Sequence, residues 1–156
     1  PPRSTLFPYT TLFRSLRRFD TNGRLQHDLT AVRMLHYPDD QTTEVFSPKL
    51  NYYGTGKTTV TARSAWLDKG GEHVRLDDDV RVVRAGAGGT PDTVITTSVM
   101  HVVPDDEIAH TDAPVTITQG ESVIHGVGLK ANNKTQIAEL FGPVRGTIHR
   151  NPSHEP

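Results

Sequence analysis

Eight histidines, a Gly-Thr-Gly-Lys-Thr run and two short acidic stretches are the parts of this 156-residue chain best equipped for chemistry. None has the spacing its chemistry demands. Gly54-Thr55-Gly56-Lys57-Thr58 looks like the end of a phosphate-binding loop. That loop needs a glycine five residues before its second glycine, where Asn51 stands, and no strand-to-helix context follows. A hairpin turn is expected instead. Asp20-Thr21-Asn22-Gly23 opens like a calcium loop but lacks the later ligands and glycine. Asp77-Asp78-Asp79 reads as a solvated turn, and Asn133-Lys134-Thr135 reads as a turn that also fits a glycosylation acceptor. His27, His36, His73, His101, His110, His125, His149 and His154 show no paired spacing of the kind metal sites favour on one strand or helix. Trp66 reads as a wall residue of the fold. No Gly-x-Ser-x-Gly elbow occurs, and no catalytic carboxylate pair can be picked out by spacing. The expectation is a protein that is not an enzyme and holds no cofactor and no metal.

The bulk properties narrow the class. Only 34% of residues are hydrophobic and mean hydropathy is −0.49, so a thick core is not expected. Val, Ile and Thr recur throughout, and 13 Gly with 11 Pro supply turns, which favours an all-β fold of short strands. A net charge of −1 lacks the basic excess that sequence-independent nucleic-acid binding requires. No run of 18 apolar residues is present, and there is no Cys to build a disulfide framework.

Residues 1–15 stand apart from this pattern. They back-translate into the 3′ part of a short-read sequencing adapter, with Thr11-Leu12-Phe13-Arg14-Ser15 spelling ACGCTCTTCCGATCT. They are expected to be an artefact that replaces the native start, including any signal or anchor. One domain is expected over residues 16–151, with 152–156 as a tail.

A degenerate repeat then organises the chain. Leu29-Thr30-Ala31, Val60-Thr61-Ala62, Ile95-Thr96-Thr97 and Ile124-His125-Gly126 share an aliphatic, polar, small pattern. The steps between Ala31, Ala62, Thr97 and Gly126 are 31, 35 and 29 residues. Pro48, Asp79, Pro114 and Pro143 are separated by the same 31, 35 and 29. Two landmarks that keep step through four copies mark a stacked architecture of about four strand-turn-strand units. The longest step contains Ala85-Gly86-Ala87-Gly88-Gly89-Thr90-Pro91, a flexible insertion.

Period-two alternation fails three residues after each small residue, at Met34, Ala65, Met100 and Leu129. A bulge in each first strand is expected to absorb the slip and to coil the sheet. The interior face is then expected to carry Leu29, Ala31, Met34, Val60, Ala62, Ala65, Ile95, Met100, Ile124 and Leu129. Val45, Leu76, Ile108 and Ile137 join it from the return strands. The small residues at the repeat position are expected to keep a trough open.

The stretch from Phe19-Asp20-Thr21-Asn22-Gly23 through His36-Tyr37-Pro38-Asp39-Asp40 resembles the start of the LptC family, a component of lipopolysaccharide export. Leu76-Asp77-Asp78-Asp79-Val80, Thr111-Asp112-Ala113-Pro114-Val115-Thr116-Ile117-Thr118-Gln119-Gly120 and Gly126-Val127-Gly128-Leu129 resemble it too. The resemblance implies an OstA-like β-jellyroll, a twisted and open V-shaped antiparallel sandwich. It implies a periplasmic domain on an inner-membrane helix absent from this chain, with lipopolysaccharide held along the interior face. It also implies that lipopolysaccharide passes from the ATP-driven extractor to an LptA-like bridge protein. The N-terminal edge would meet the periplasmic domain of an LptF/LptG-type transporter subunit. The C-terminal edge, with Ile137, Leu140, Gly142, Val144, Gly146 and Ile148, would meet the bridge, its glycines allowing close approach. Two alternatives stay open: an LptA-like soluble bridge, and an adaptor that docks neighbours by strand addition without binding lipid.

Overall fold

The structure, a computed structural model, describes residues 10–11, 15–54 and 56–150. The 152–156 tail and Thr55 lie outside the described residues. Among the described residues there are fourteen strands: β1 Thr10–Thr11, β2 Ser15–Phe19, β3 Leu25–Thr30, β4 Arg33–Tyr37, β5 Thr42–Phe46, β6 Lys49–Tyr53, β7 Lys57–Thr61, β8 Ser64–Leu67, β9 Val74–Arg84, β10 Thr93–Val103, β11 Ile108–Gln119, β12 Ser122–Asn132, β13 Ile137–Leu140 and β14 Arg145–Thr147. The 3₁₀ turn Lys69–Gly71 is the one helical element among the described residues. All pairings are antiparallel. Thr10, Thr11 and Ser15, within the adapter-like segment, pair with His36, Leu35 and Thr30.

Two forks in the strand pairing explain the architecture: β12 takes β13 along residues 129–132 and β14 along residues 123–125, and β9 divides in the same way. One edge of β9 pairs with β8 through residues 74–77 and with β7 through residues 81–84. Between them the sheet turns a corner. Wing one holds β1, β4, β5, β8, the ends of β9 to β12 nearest β8, and β13. Wing two holds β2, β3, β6, β7, the opposite ends of β9 to β12, and β14. Each crossing strand therefore belongs to both wings, and the wings close on each other as a V-shaped antiparallel sandwich.

The repeat landmarks lie along that corner. Val32 N–H donates to Phe46 O, Ser47 N–H to Arg63 O, and Arg63 N–H to Asp78 O, carrying the ladder across it. A slip does occur there, but the extra residue sits on the return strands. Asp78 and Asp79 of β9 stand opposite Ser98, and Asp112 and Ala113 of β11 stand opposite Gly128. In the first two repeats the first strand breaks outright, between β3 and β4 and between β7 and β8. The acidic run Asp77-Asp78-Asp79 is thus a bulge inside a strand and not a turn. Asp78 (φ 63°) and Asp79 (φ 49°) adopt the left-handed conformation that Asp tolerates better than branched residues. The Arg63 guanidinium donates to Asp79 at 2.6 Å on the outside of the corner.

Inside, cross-strand rows make the core. Leu29, Leu50, Val60, Val82, Ile95, Ile117 and Ile124 form one register row through wing two. Met34, Val45, Ala65, Leu76 and Met100 form the matching row of wing one. Met34, Leu76, Met100 and Leu129 are each 1% exposed, and burying side chains of this size stabilises the fold by about 1.5–3 kcal/mol apiece.

Candidate functional site

Two cavities lie between the wings. The first, of about 210 Å³, is walled by Val60, Val82 and Ile95 from wing two and by Met100, Val102 and Ala109 from wing one. The second, of about 220 Å³, sets Leu16, Leu29 and Leu50 against Leu67, Val74 and Leu76. Strand alternation puts these side chains inward, and the corner holds the two apolar faces together at one end. Such walls select apolar chains and supply no nucleophile or acid-base pair.

A polar cluster separates the cavities. Tyr52 lines the first and His27 the second, with ring centroids 5.6 Å apart. The β10–β11 turn reaches over them from wing one. Arg18 Nη2 donates to Asp105 Oδ2 at 2.9 Å, and His27 Nε2 lies 3.8 Å from Asp105 Oδ1. Thr58 Oγ1 donates to Asn133 Oδ1 at 3.2 Å, and Asn133 Nδ2 donates to Glu107 Oε2 at 2.8 Å. The mouth between the wing tips is bridged by these contacts. Burial pushes the Tyr52 phenol pKa up, helped by the charges of Glu107 and Asp105. Burial holds the His27 imidazole below its usual pKa, with Asp105 pulling it part of the way back.

Sequence reasoning placed most interior residues in register. Leu29, Met34, Val45, Val60, Ala65, Leu76, Met100 and Leu129 are buried, and Ala31, Ala62 and Ile95 pack against them. Ile124 is half-buried in the wing-two row, and Ile108 lines the first cavity. Ile137 departs from expectation: it is 60% exposed at the cavity rim, because β13 is an edge strand with no neighbour to cover it.

The role expected of the small repeat residues does not hold. Ala31, Ala62, Thr97 and Gly126 line neither cavity; they sit at the corner where the wings converge. The Thr97 hydroxyl donates to Pro114 O at 2.9 Å, and a Cβ at Gly126 would stand 2.5 Å from Leu140 Cγ. Gly126 makes room for Leu140, which packs inward on the core and not outward from the edge. Gly146 is likewise required by the chain's own β12, since a Cβ there would clash with Val123 O. A Cβ at Gly142 would meet Val127 at 3.1 Å. Those glycines have a reason in the chain's own packing. Val144 and Ile148 are exposed, at 53% and 69%.

The inward polar residues were missed. Tyr52 is two residues from Leu50 and His27 two from Leu29, so counting alternation from either neighbour would have found them. Among the described residues no group of three or more His, Asp or Glu could hold a metal, although sheet pairing does stack His101 on His110 at 5.0 Å. Gly54 and Gly56 form the β6–β7 hairpin, and the Asp20 carboxylate accepts from Asn22 and Arg24 N–H in the β2–β3 turn. Trp66 stacks on Tyr37 at 5.8 Å.

A protein-family model described as "Lipopolysaccharide-assembly, LptC-related" matches residues 10–149. Among solved structures, the fold is similar to that of LptH from Pseudomonas aeruginosa, described as the LptA homologous periplasmic component of the conserved lipopolysaccharide transport device. The match has a TM-score of 0.60 at 12% identity, covering 80% of this chain and 95% of that one. No curated protein is significantly similar in sequence.

Proposed function

The chain belongs to the LptC-related lipopolysaccharide-assembly family, and on that premise we propose that it carries lipopolysaccharide acyl chains between its two wings. The observation behind this is the pair of apolar rows running across the strands, with cavities open between them. An acyl chain left in water costs roughly 0.8 kcal/mol per exposed CH₂, and an aliphatic cleft removes most of that cost. The cleft axis follows the hydrogen-bonding direction of the sheet, so its two ends are the two edges. A strand added at either edge would lengthen the cleft without changing its section.

In this reading lipid enters from an extractor in the inner membrane and leaves toward an LptA-like bridge, within the periplasm. The N-terminal edge, with Leu16 49% and Phe19 54% exposed, faces an LptF/LptG-type subunit. The C-terminal edge presents Ile137, Phe141, Val144 and Ile148, all exposed, to the bridge. Among the described residues no helix is long and apolar enough to cross a membrane.

Photocrosslinking tests the proposal. A photoreactive residue at Ile95, inside the cleft, should form adducts with lipopolysaccharide, and one at the exposed Arg81 should not. A folded protein that gives no adduct at Ile95 while still binding its partners is an adaptor and not a conduit.

A further inference from the structure

Tyr52 lines the first cavity, and its Oη is a buried side-chain polar atom with no hydrogen-bond partner among the described residues. The residue is 4% exposed. Its cross-strand neighbour His27 holds the other such atom, Nε2, at the wall of the second cavity. A phenol buried without a partner keeps its full desolvation cost, and phenylalanine would fill the same space without it. The fold alone therefore gives no reason for tyrosine at this position. The surroundings define what would satisfy it. Burial, helped by the charges of Glu107 and Asp105, keeps the phenol protonated, so it is a donor awaiting an acceptor. Val60, Val82, Ile95 and Met100 in the same cavity favour an acceptor attached to apolar chains, with Thr58, Glu107 and Asn133 supplying the polar part of the lining.

Building on the lipid reading above, we propose that Tyr52 Oη donates to the carbonyl oxygen of an acyl ester or amide linkage. The linkage sits at the divide between the cavities, and its chains extend into them. Tyr52 thereby registers the lipid at a fixed point along an otherwise unspecific cleft.

The test compares binding of dioctanoyl phosphatidylglycerol with its dioctyl ether analogue, which lacks only the two carbonyl oxygens. The native chain should bind the ester about three- to tenfold more tightly, the range of one hydrogen bond. Tyr52→Phe should abolish that difference, leave ether affinity unchanged, and melt no lower than the native chain. Tyr53→Phe, which alters an exposed tyrosine bonded to Asp28, should keep the ester preference. A Tyr52→Phe protein that still prefers the ester, or a native chain with no preference, overturns the assignment alone. A native chain that binds neither lipid overturns the cleft reading with it.

Discussion

Thr58 and Asn133 lie 75 residues apart in sequence and 3.2 Å apart in space, hydroxyl to amide oxygen, across the mouth of the sandwich. Asn133 also donates through Nδ2 to Glu107 and through its backbone N–H to Glu107 O. One side chain thus ties a strand of wing two to two turns of wing one. The geometry depends on an amide, which accepts on one side and donates on the other.

Asn133→Asp should break this tie on the donor side only. A carboxylate would face the Glu107 carboxylate where an N–H had stood, and like charges at that range cannot both stay ionised cheaply. The variant should lose about 1–3 kcal/mol near neutral pH and recover part of it where the pair shares a proton. Urea unfolding at both pH values checks this.

Gly126→Ala should cost about 1–3 kcal/mol, because the new methyl overlaps Leu140 Cγ. Leu140→Ala alone should also destabilise, by leaving a void. The double variant should be more stable than the sum of the two losses, a coupling that a double-mutant cycle measures.

His27 should make stability fall in mild acid. In the unfolded chain its imidazole takes up a proton near its ordinary pKa of 6.5, whereas burial lowers that pKa in the fold. The unfolded state therefore binds more protons as pH drops through 6.5, and stability declines until the folded pKa is reached. Native and His27→Gln proteins, compared by urea midpoint from about pH 7.5 to about pH 5, should differ in slope, with the variant flatter.

Ile95 and Met100 should respond differently to the same substitution. Met100 is 1% exposed, so Met100→Asp buries an unpaired charge and should prevent folding. Ile95 is half-buried on the cavity wall, so Ile95→Asp should fold and abolish the lipid adducts formed by a photoreactive residue at Val82 in the same cavity. Circular dichroism and crosslinking separate the two outcomes.

Much of this fold was legible because its hydrophobic pattern repeats. The slip at Met34, Ala65, Met100 and Leu129 announced a change of face in every unit, and all four are buried. The direction of the slip was not legible. An extra residue on Asp78-Asp79 and a missing one at Ser98 give the same spacing along a single strand, and only pairing tells them apart. The polar cluster escaped for a different reason. Asp105, Glu107 and Asn133 sit in turns that look purely solvent-facing, and their meeting with Arg18, His27 and Thr58 depends on how the wings close.

The crossing strands also have a consequence for how the molecule is made. β3 with β4, β5 with β6, β7 with β8, then β9, β10, β11, β12, and β13 with β14 each pair with the one before, an unbroken meander in chain order. Contacts between successive hairpins close short loops, which keeps the entropic barrier to each addition low for an all-β protein. A chain delivered from its N-terminus can zip up one crossing strand at a time. Every step adds a slice of both walls at once, so a growing chain never holds one finished wing waiting for the other.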